Sequence, residues 1–239
     1  MVKLKEMNAI ITGATKGIGF AIAQKFVEKG FNVAICSRNE DDLAKAKDNL
    51  LKINDKISVL TFKADVSIKS EVIEFAQFCL NTFEKVDILV NNAGVFFPGM
   101  IMEEEEGALE KMVETNLYSA YHMSRQIVPK MQKNKSGYVI NMASIASFMA
   151  YPNGGSYSIS KFALKGFSQV LREELKEDGI KVTTVMPGAT WSNSWAGVDL
   201  PESRLMQAND IAEAVWSIFE MSPAAVLEEL IIRPQLGDL

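Results

Sequence analysis

Short apolar, β-branched runs alternate with longer amphipathic stretches, and this alternation constrains the fold more than any other feature of the chain. The runs fall at 8–12, 31–36, 57–62, 86–90, 138–142, 180–185 and 230–232. Between them, helical spacing of apolar residues marks 17–29, 40–52, 69–83, 107–133, 156–177 and 209–220. Strands that read as continuous apolar runs are buried on both faces, and strands interleaved with helices form parallel sheets. The expected fold class is therefore α/β: a doubly wound parallel sheet of about seven strands with helices on both faces. No Pro/Ser-rich linker, repeat or low-complexity segment interrupts the 239 residues, so a single domain over 1–239 is the simplest organisation. The irregular stretch 190–208 follows the sixth run and reads as a substrate lid. It lies beyond a strand's carboxyl end, where open α/β sheets bind ligands.

Charge and composition exclude several roles. The chain carries 25 basic and 30 acidic residues, a net charge of −5, whereas a nucleic-acid partner requires a basic face. No apolar run approaches the ~18 residues that span a bilayer, so no membrane partner is expected. The two cysteines, Cys36 and Cys79, have neither metal-ligand spacing nor the numbers for a disulfide framework. They read as small core residues in a reducing, cytoplasmic setting, and no metal site is expected. The charged first six residues run straight into a strand and do not resemble a signal peptide. Four glutamates at 103–106 read as the solvated start of a helix, and the single histidine, His122, as structural.

The first run ends in TGATKGIG, residues 12–19. The order of its glycines, Gly-x-x-x-Gly-x-Gly, differs from the common Gly-x-Gly-x-x-Gly fingerprint. The physical logic is shared. Gly13 permits a turn that a Cβ hinders. Gly17 and Gly19 let backbone and helix approach a pyrophosphate, which meets free N–H groups and the positive end of the helix dipole. The second run leads into Ser37-Arg38, where an NAD-selecting chain places an acid for the ribose 2′-hydroxyl. Arg38 instead offers a planar fork to a 2′-phosphate, and Lys16 adds a second positive charge. This pattern predicts NADP(H).

With these pieces in order, the chain resembles the short-chain dehydrogenase/reductase family over essentially its whole length. The segments that carry the likeness are the glycine turn, Ala64-Asp65-Val66, Asn91-Asn92-Ala93-Gly94, Asn116 in the next helix, Ser144, the Tyr157-x-x-x-Lys161 pair and Pro187-Gly188. Ser144 precedes Tyr157 by 13 residues. The resemblance implies a Rossmann-type fold and a catalytic set of Asn116, Ser144, Tyr157 and Lys161. It also implies cofactor contacts from Gly13, Thr15, Lys16, Gly17, Ile18, Gly19, Ser37, Arg38, Asp65, Val66, Asn92, Ala93, Gly94, Tyr157, Lys161, Pro187 and Gly188. Ser192 stands where many relatives have a threonine that bonds the nicotinamide carboxamide.

Residues four apart share a helix face, so Tyr157 and Lys161 point the same way. The Lys161 ammonium and an oxidised nicotinamide are expected to lower the Tyr157 pKa, readying it to give or take a proton, with Ser144 bonding the same substrate oxygen. By resemblance, Lys161 also binds ribose hydroxyls, and Asn116 holds a water linking Lys161 to solvent. Phe96, Phe148, Tyr151, Trp191 and Trp195, with Val95, Phe97, Met149 and Met206, are the expected apolar pocket walls. They suit a hydrophobic or flat carbonyl compound, and the lack of an Arg or Lys cluster in these stretches implies one neutral at its reacting end. The final strand and the compact lid are similar to those of bacterial sepiapterin-reductase-like members. Length and core motifs equally fit 3-oxoacyl-(acyl carrier protein) reductases, with Arg125, Lys130, Lys133 and Lys135 as a possible carrier surface. A non-catalytic NADP sensor is the alternative from another class, and it predicts a broken Ser–Tyr–Lys set. Family members usually assemble as homodimers or homotetramers.

Overall fold

A computed structural model describes residues 7–191 and 200–238. Seven strands form one parallel sheet: β1 Asn8–Thr12, β2 Asn32–Ser37, β3 Val59–Lys63, β4 Ile88–Asn91, β5 Gly137–Met142, β6 Ile180–Pro187 and β7 Glu229–Ile232. Their order is β3-β2-β1-β4-β5-β6-β7, so the chain changes direction across the sheet between β1 and β4. The principal helices are α1 Gly17–Glu28, α2 Glu40–Ile53, α3 Lys69–Thr82, α4 Ala108–Val113, α5 Ser119–Asn134, α6 Gly155–Leu175 and α7 Ala208–Glu220.

Strand side chains alternate between two apolar layers, as the period of 2 requires. Ile11, Ile35, Val90 and Ile140 pack with Phe26 of α1, Leu43 and Leu50 of α2, and Val215 of α7. Ile10, Ala34, Leu89 and Val139 face the other way, against Phe75 of α3, Met123 and Ile127 of α5, and Leu175 of α6. All five residues of β1 are buried, which is why that strand shows no polar alternation.

The boundaries differ from the sequence expectation where side chains intercept the backbone. The third strand begins at Val59, not 57, because the Ser58 N–H donates to the Asn32 side chain (2.8 Å). The fourth begins at Ile88, not 86, because Asp87 turns back to accept from the Asn8 N–H (2.9 Å) and pairs with Lys85 (2.5 Å). The expected helix 107–133 is interrupted. A π-helical turn, Glu114–Tyr118, separates α4 from α5 and carries Asn116. Such widened turns gather at functional sites.

α1 and α7 are joined by an aromatic cluster. The Phe26 ring meets Phe31 at 4.9 Å, Trp216 at 5.8 Å and Phe219 at 6.0 Å between centroids, all edge-on. Phe26 is fully buried. Phe26→Ala is expected to destabilise the chain by about 3–5 kcal/mol, the usual cost of deleting a buried ring. Urea unfolding checks this, and a loss below about 1 kcal/mol would contradict the packing described.

Candidate active site

The site lies beyond the carboxyl ends of the strands, where β1 and β4 are neighbours although their connections part. Thr12 closes this junction. Its hydroxyl accepts from the backbone N–H groups of Asn92 and Ala93, each at 3.0 Å. The Asn92 side chain returns two bonds, to the carbonyls of Thr12 (2.9 Å) and Gly13 (3.0 Å). The glycine turn is thereby fixed to the end of β4.

The turn uses its glycines for two separate reasons. Gly13 has φ +64°, and a Cβ there would lie 2.9 Å from the Ala93 Cα. At Gly19, a Cβ would lie 2.3 Å from Asn92 Nδ2 and 2.6 Å from the Gly13 carbonyl oxygen. α1 starts after Lys16 with no side-chain cap and no acid in its first turn. Its first N–H groups and positive dipole end are therefore suited to an anion.

A cleft of about 660 Å³ opens over this turn. Gly13, Thr15, Lys16, Gly17, Ile18 and Gly19 form its floor, Ser37 and Arg38 one end, and Asp65 with Val66 a flank. Asn92, Ala93 and Gly94 form the opposite wall. Ala64 lines it as well, with Cys36, Ser67 and Thr115, which the sequence pattern does not single out. They follow once strand register is known, since each adjoins a residue already chosen. Thr15 and Ser37 are linked through their hydroxyls (3.4 Å). Asp65 does not cap α3, whose N-cap is Ile68. It instead accepts from the Ser67 N–H (3.0 Å) and hydroxyl (2.7 Å), which holds the turn at the cleft's edge. The size and the unencumbered helix end fit a dinucleotide.

Lys161 and Asn116 meet this cleft at Gly94. A Cβ on Gly94 would lie 3.2 Å from Asn116 Oδ1 and 3.4 Å from Lys161 Nζ. The Lys161 ammonium is buried and donates to the Met142 carbonyl at the end of β5 (2.9 Å). Burial lowers its pKa to about 8. The Asn116 amide makes three bonds: Oδ1 accepts from Val95 N–H (2.7 Å), while Nδ2 donates to Val95 O (3.0 Å) and Ser160 Oγ (2.9 Å). Ser160 was not singled out from the sequence. Its hydroxyl also donates to the Tyr157 carbonyl (2.7 Å), so Asn116 is tied to the helix that carries the tyrosine.

Ser144 follows β5 and caps a short 3₁₀ turn, Ile145–Ser147. Its hydroxyl accepts from the Ala146 N–H (3.2 Å) and hydrogen-bonds the Tyr157 phenol. The sequence expectation of a lowered Tyr157 pKa is not met by the chain itself. Tyr157 keeps part of its surface open, but burial pushes its phenol up to about 12, and Ser144 offsets this only in part. Lys161 Nζ lies 5.8 Å from the centre of the ring and is not among the groups that lower the phenol.

The expected pocket walls divide. Phe96 stands edge-on to Tyr157, with centroids 4.8 Å apart. Phe148 is partly exposed nearby in sequence, Tyr151 is half-buried, and Trp191 lines the dinucleotide-sized cleft. Ser192 and Trp195 lie outside the described residues. Met206 is not a wall: it is buried in the core beneath α7, because its carbonyl accepts from the Trp191 N–H (2.8 Å) and turns its side chain inward. Pro187 ends β6, and Gly188 donates to Ile232 O (2.8 Å). Neither lines the cleft. The space over Gly188 is taken by Asp238, whose Oδ1 would lie 2.2 Å from a Cβ there.

The fold and this arrangement define a dinucleotide-dependent oxidoreductase. The chain belongs to the short-chain dehydrogenase/reductase family: the family model described as short chain dehydrogenase matches residues 7–201. It is 31% identical to an uncharacterised oxidoreductase of Staphylococcus epidermidis over 98% of this chain and 100% of that one. An alcohol dehydrogenase from the archaeon Thermococcus sibiricus, solved with 5-hydroxy-NADP, superimposes with a TM-score of 0.90 at 27% identity, covering 98% and 99% of the two chains. A 7α-hydroxysteroid dehydrogenase solved with NADH and 7-oxo glycochenodeoxycholic acid gives a TM-score of 0.87 at 29% identity, covering 97% and 94%. The chain is thus an NAD(P)-dependent oxidoreductase acting on CH–OH/C=O groups. Among the described residues no helix is long and apolar enough to cross a membrane.

Gly19→Ala forces Asn92 off the glycine turn. An overpacking cost of about 1–3 kcal/mol predicts roughly a ten- to hundredfold loss of dinucleotide affinity. Titration by nicotinamide fluorescence measures it, and wild-type affinity would refute the close packing of Gly19 on Asn92.

Proposed function

We propose that this chain is an NADPH-dependent reductase of a ketone or other carbonyl compound. The observation that carries the proposal is the convergence of Ser144, Tyr157 and Lys161 at the edge of the cleft that holds Arg38 at its far end. The bound dinucleotide supplies the hydride. The protein's tasks are to hold the carbonyl and deliver a proton to its oxygen.

Tyr157 suits the second task in the form the chain imposes on it. A phenol held up near 12 is protonated at neutral pH and has its O–H available to donate. Ser144 donates to the same oxygen as it gains charge. Lys161 supplies positive charge behind the phenol and a donor for ribose hydroxyls. The Asn116 amide bonds Val95 and Ser160 and so ties the loop after β4 to the helix that carries Tyr157 and Lys161. Arg38, exposed after β2, favours a 2′-phosphate and hence NADP(H).

The substrate end favours an apolar carbonyl compound, with Phe96 and Phe148 both exposed beside the catalytic helix. A sepiapterin-like or dicarbonyl substrate fits these walls. The acyl-carrier reading is second. The end of α5 that bears Lys133 leads into the start of β5, opposite the cleft, and Lys135 is already paired with Asp178. The intact Ser–Tyr–Lys set argues against a sensor without turnover. Exposed Tyr118, Tyr121, Ile159 and Phe162 on the π-turn, α5 and α6 favour a homodimer or homotetramer, in which they are covered.

Two outcomes are expected. NADPH is oxidised with sepiapterin or small diketones and more slowly with an acetoacetyl thioester, NADH is used less well, and Tyr157→Phe loses at least about 10²-fold in kcat. Thioester turnover alone would replace the first substrate class with the second, and NADH preference would overturn the role of Arg38. Second, kcat/KM for NADPH is level below pH 8 and falls above it as Lys161, held at about 8, loses its charge. Tyr157 stays protonated through this window. A profile flat to pH 10 would contradict that assignment.

A further inference from the structure

The glutamate run at 103–106 is not uniformly solvated. Glu103, Glu105 and Glu106 are exposed, whereas Glu104 reaches 52 residues along the chain to the start of α6. Its Oε1 accepts from the Ser156 N–H (2.8 Å), and its Oε2 accepts from the Ser156 hydroxyl. Gly154, the N-cap of α6, provides no side-chain cap, so Glu104 does that work from a distant loop. A carboxylate at a helix start satisfies an orphan N–H and complements the dipole.

The surroundings are shaped to admit this carboxylate. A Cβ on Gly155 would lie 2.0 Å from Glu104 Oε1, and one on Gly99 would lie 2.6 Å from Glu104 Cγ. Gly99 pairs with Gly154 in a parallel bridge, and its N–H donates to Asn153 O (3.1 Å). Ser156 is itself buried and directly precedes Tyr157. The loop 95–107 is therefore pinned at three points: Val95 on the Asn116 amide, Gly99 on Asn153 and Glu104 on Ser156. Between them Phe96 rests edge-on against Tyr157.

We propose that Glu104 is a positioning residue for carbonyl reduction: its carboxylate clamps the first turn of α6 to the loop 95–107 and so fixes Tyr157 against Phe96. The proposal rests on the reductase reading above for its effect on rate, but the clamp itself is independent of that reading. Glu104 lies away from the glycine turn, so its loss acts on the chemical step and not on dinucleotide binding.

The test uses the full chain with Glu104→Ala and Glu104→Gln. NADPH and 2,3-butanedione serve for kinetics, NADPH fluorescence for affinity, and amide hydrogen exchange for residues 156–158. Misplacing a catalytic group by about 1 Å costs up to about 10²-fold, so Glu104→Ala is expected to lower kcat roughly 10- to 100-fold with NADPH affinity unchanged. Exchange at Ser156 accelerates in the same variant. Glu104→Gln keeps an acceptor for the Ser156 N–H and a donor for its hydroxyl, and is expected to restore most of kcat and protection. Unchanged kcat in Glu104→Ala overturns the proposal, as does equal loss in both variants accompanied by weakened NADPH binding. If the wild type reduces no carbonyl compound, the reductase reading fails, and exchange still decides the clamp. Protection lost in the alanine variant and kept in the glutamine variant supports it; identical exchange in wild type and Glu104→Ala overturns it.

Discussion

The hydroxyl of Thr12 holds together the part of the molecule on which everything functional depends. β1 and β4 are adjacent in the sheet, but Thr12 and Asn92 at their ends are 80 residues apart in sequence and must stay in fixed relation. One side chain accepts two backbone N–H groups from the far strand, and Asn92 answers with two bonds of its own. Four hydrogen bonds in a part-buried site leave few alternative geometries for the glycine turn. They also explain Gly19: the volume its Cβ would need is occupied by the amide that makes the junction rigid. Below this junction a second polar chain continues the support. Asn91 donates to Asn141 (2.8 Å) and Ser124 (3.2 Å), and Asn141 to Ser168 (2.8 Å), linking β4, β5, α5 and α6 through the sheet. Buried polar chains of this kind specify one arrangement, because a slipped strand leaves several groups unpaired.

The site is electrostatically costly, and the cost is informative. Lys161 is buried with one carbonyl partner, and a buried ammonium without a counter-charge is unfavourable. Tyr157 is driven the opposite way by the same burial. Burial thus drives the two groups apart in proton affinity, from 10.5 and 10.0 to about 8 and about 12, and still leaves a charged lysine beside a neutral phenol at pH 7. Negative charge near Lys161 raises its pKa and steadies its ammonium, and positive charge near Tyr157 lowers the phenol. Perturbation by desolvation in a cleft, with named partners, is what distinguishes these residues from an ordinary helical Tyr–Lys pair.

Much of this was legible in the sequence because it depends on local pattern. The seven apolar runs became the seven strands, and the glycine turn fell at the first strand's end. The residues chosen around it, from Gly13 to Gly94, line one cleft because each follows a strand at the same edge of a parallel sheet. What escaped depends on distance. The π-turn at Glu114–Tyr118 leaves the helical pattern of apolar residues intact, so 107–133 reads as one helix. Ser160 looks like any small helix residue until Asn116 is placed opposite it. Met206 reads as a pocket wall because it lies near the lid in sequence, and only the backbone bond from Trp191 turns it inward. Glu104 is hidden most completely, since three identical neighbours in sequence are solvated and its partner lies beyond two further helices and a strand.

This difference in range corresponds to a division of labour in the site. The dinucleotide end is built from backbone, glycines and exposed charge, all set by sequence-local turns. The tyrosine end is set by contacts between distant segments: Ser144 from the end of β5, Asn116 from the π-turn and Glu104 from the loop after β4. Substitutions in that loop therefore have two routes to the reaction, through the apolar face offered by Phe96 and through the orientation of α6. If Glu104 positions α6 as proposed, a relative that keeps the glycine turn and Tyr157-x-x-x-Lys161 but replaces Gly99, Glu104 or Gly155 retains the proposed dinucleotide cleft while losing a constraint on the proposed proton donor. Motifs that identify this family thus say more about what the chain binds than about how firmly its chemistry is held in place.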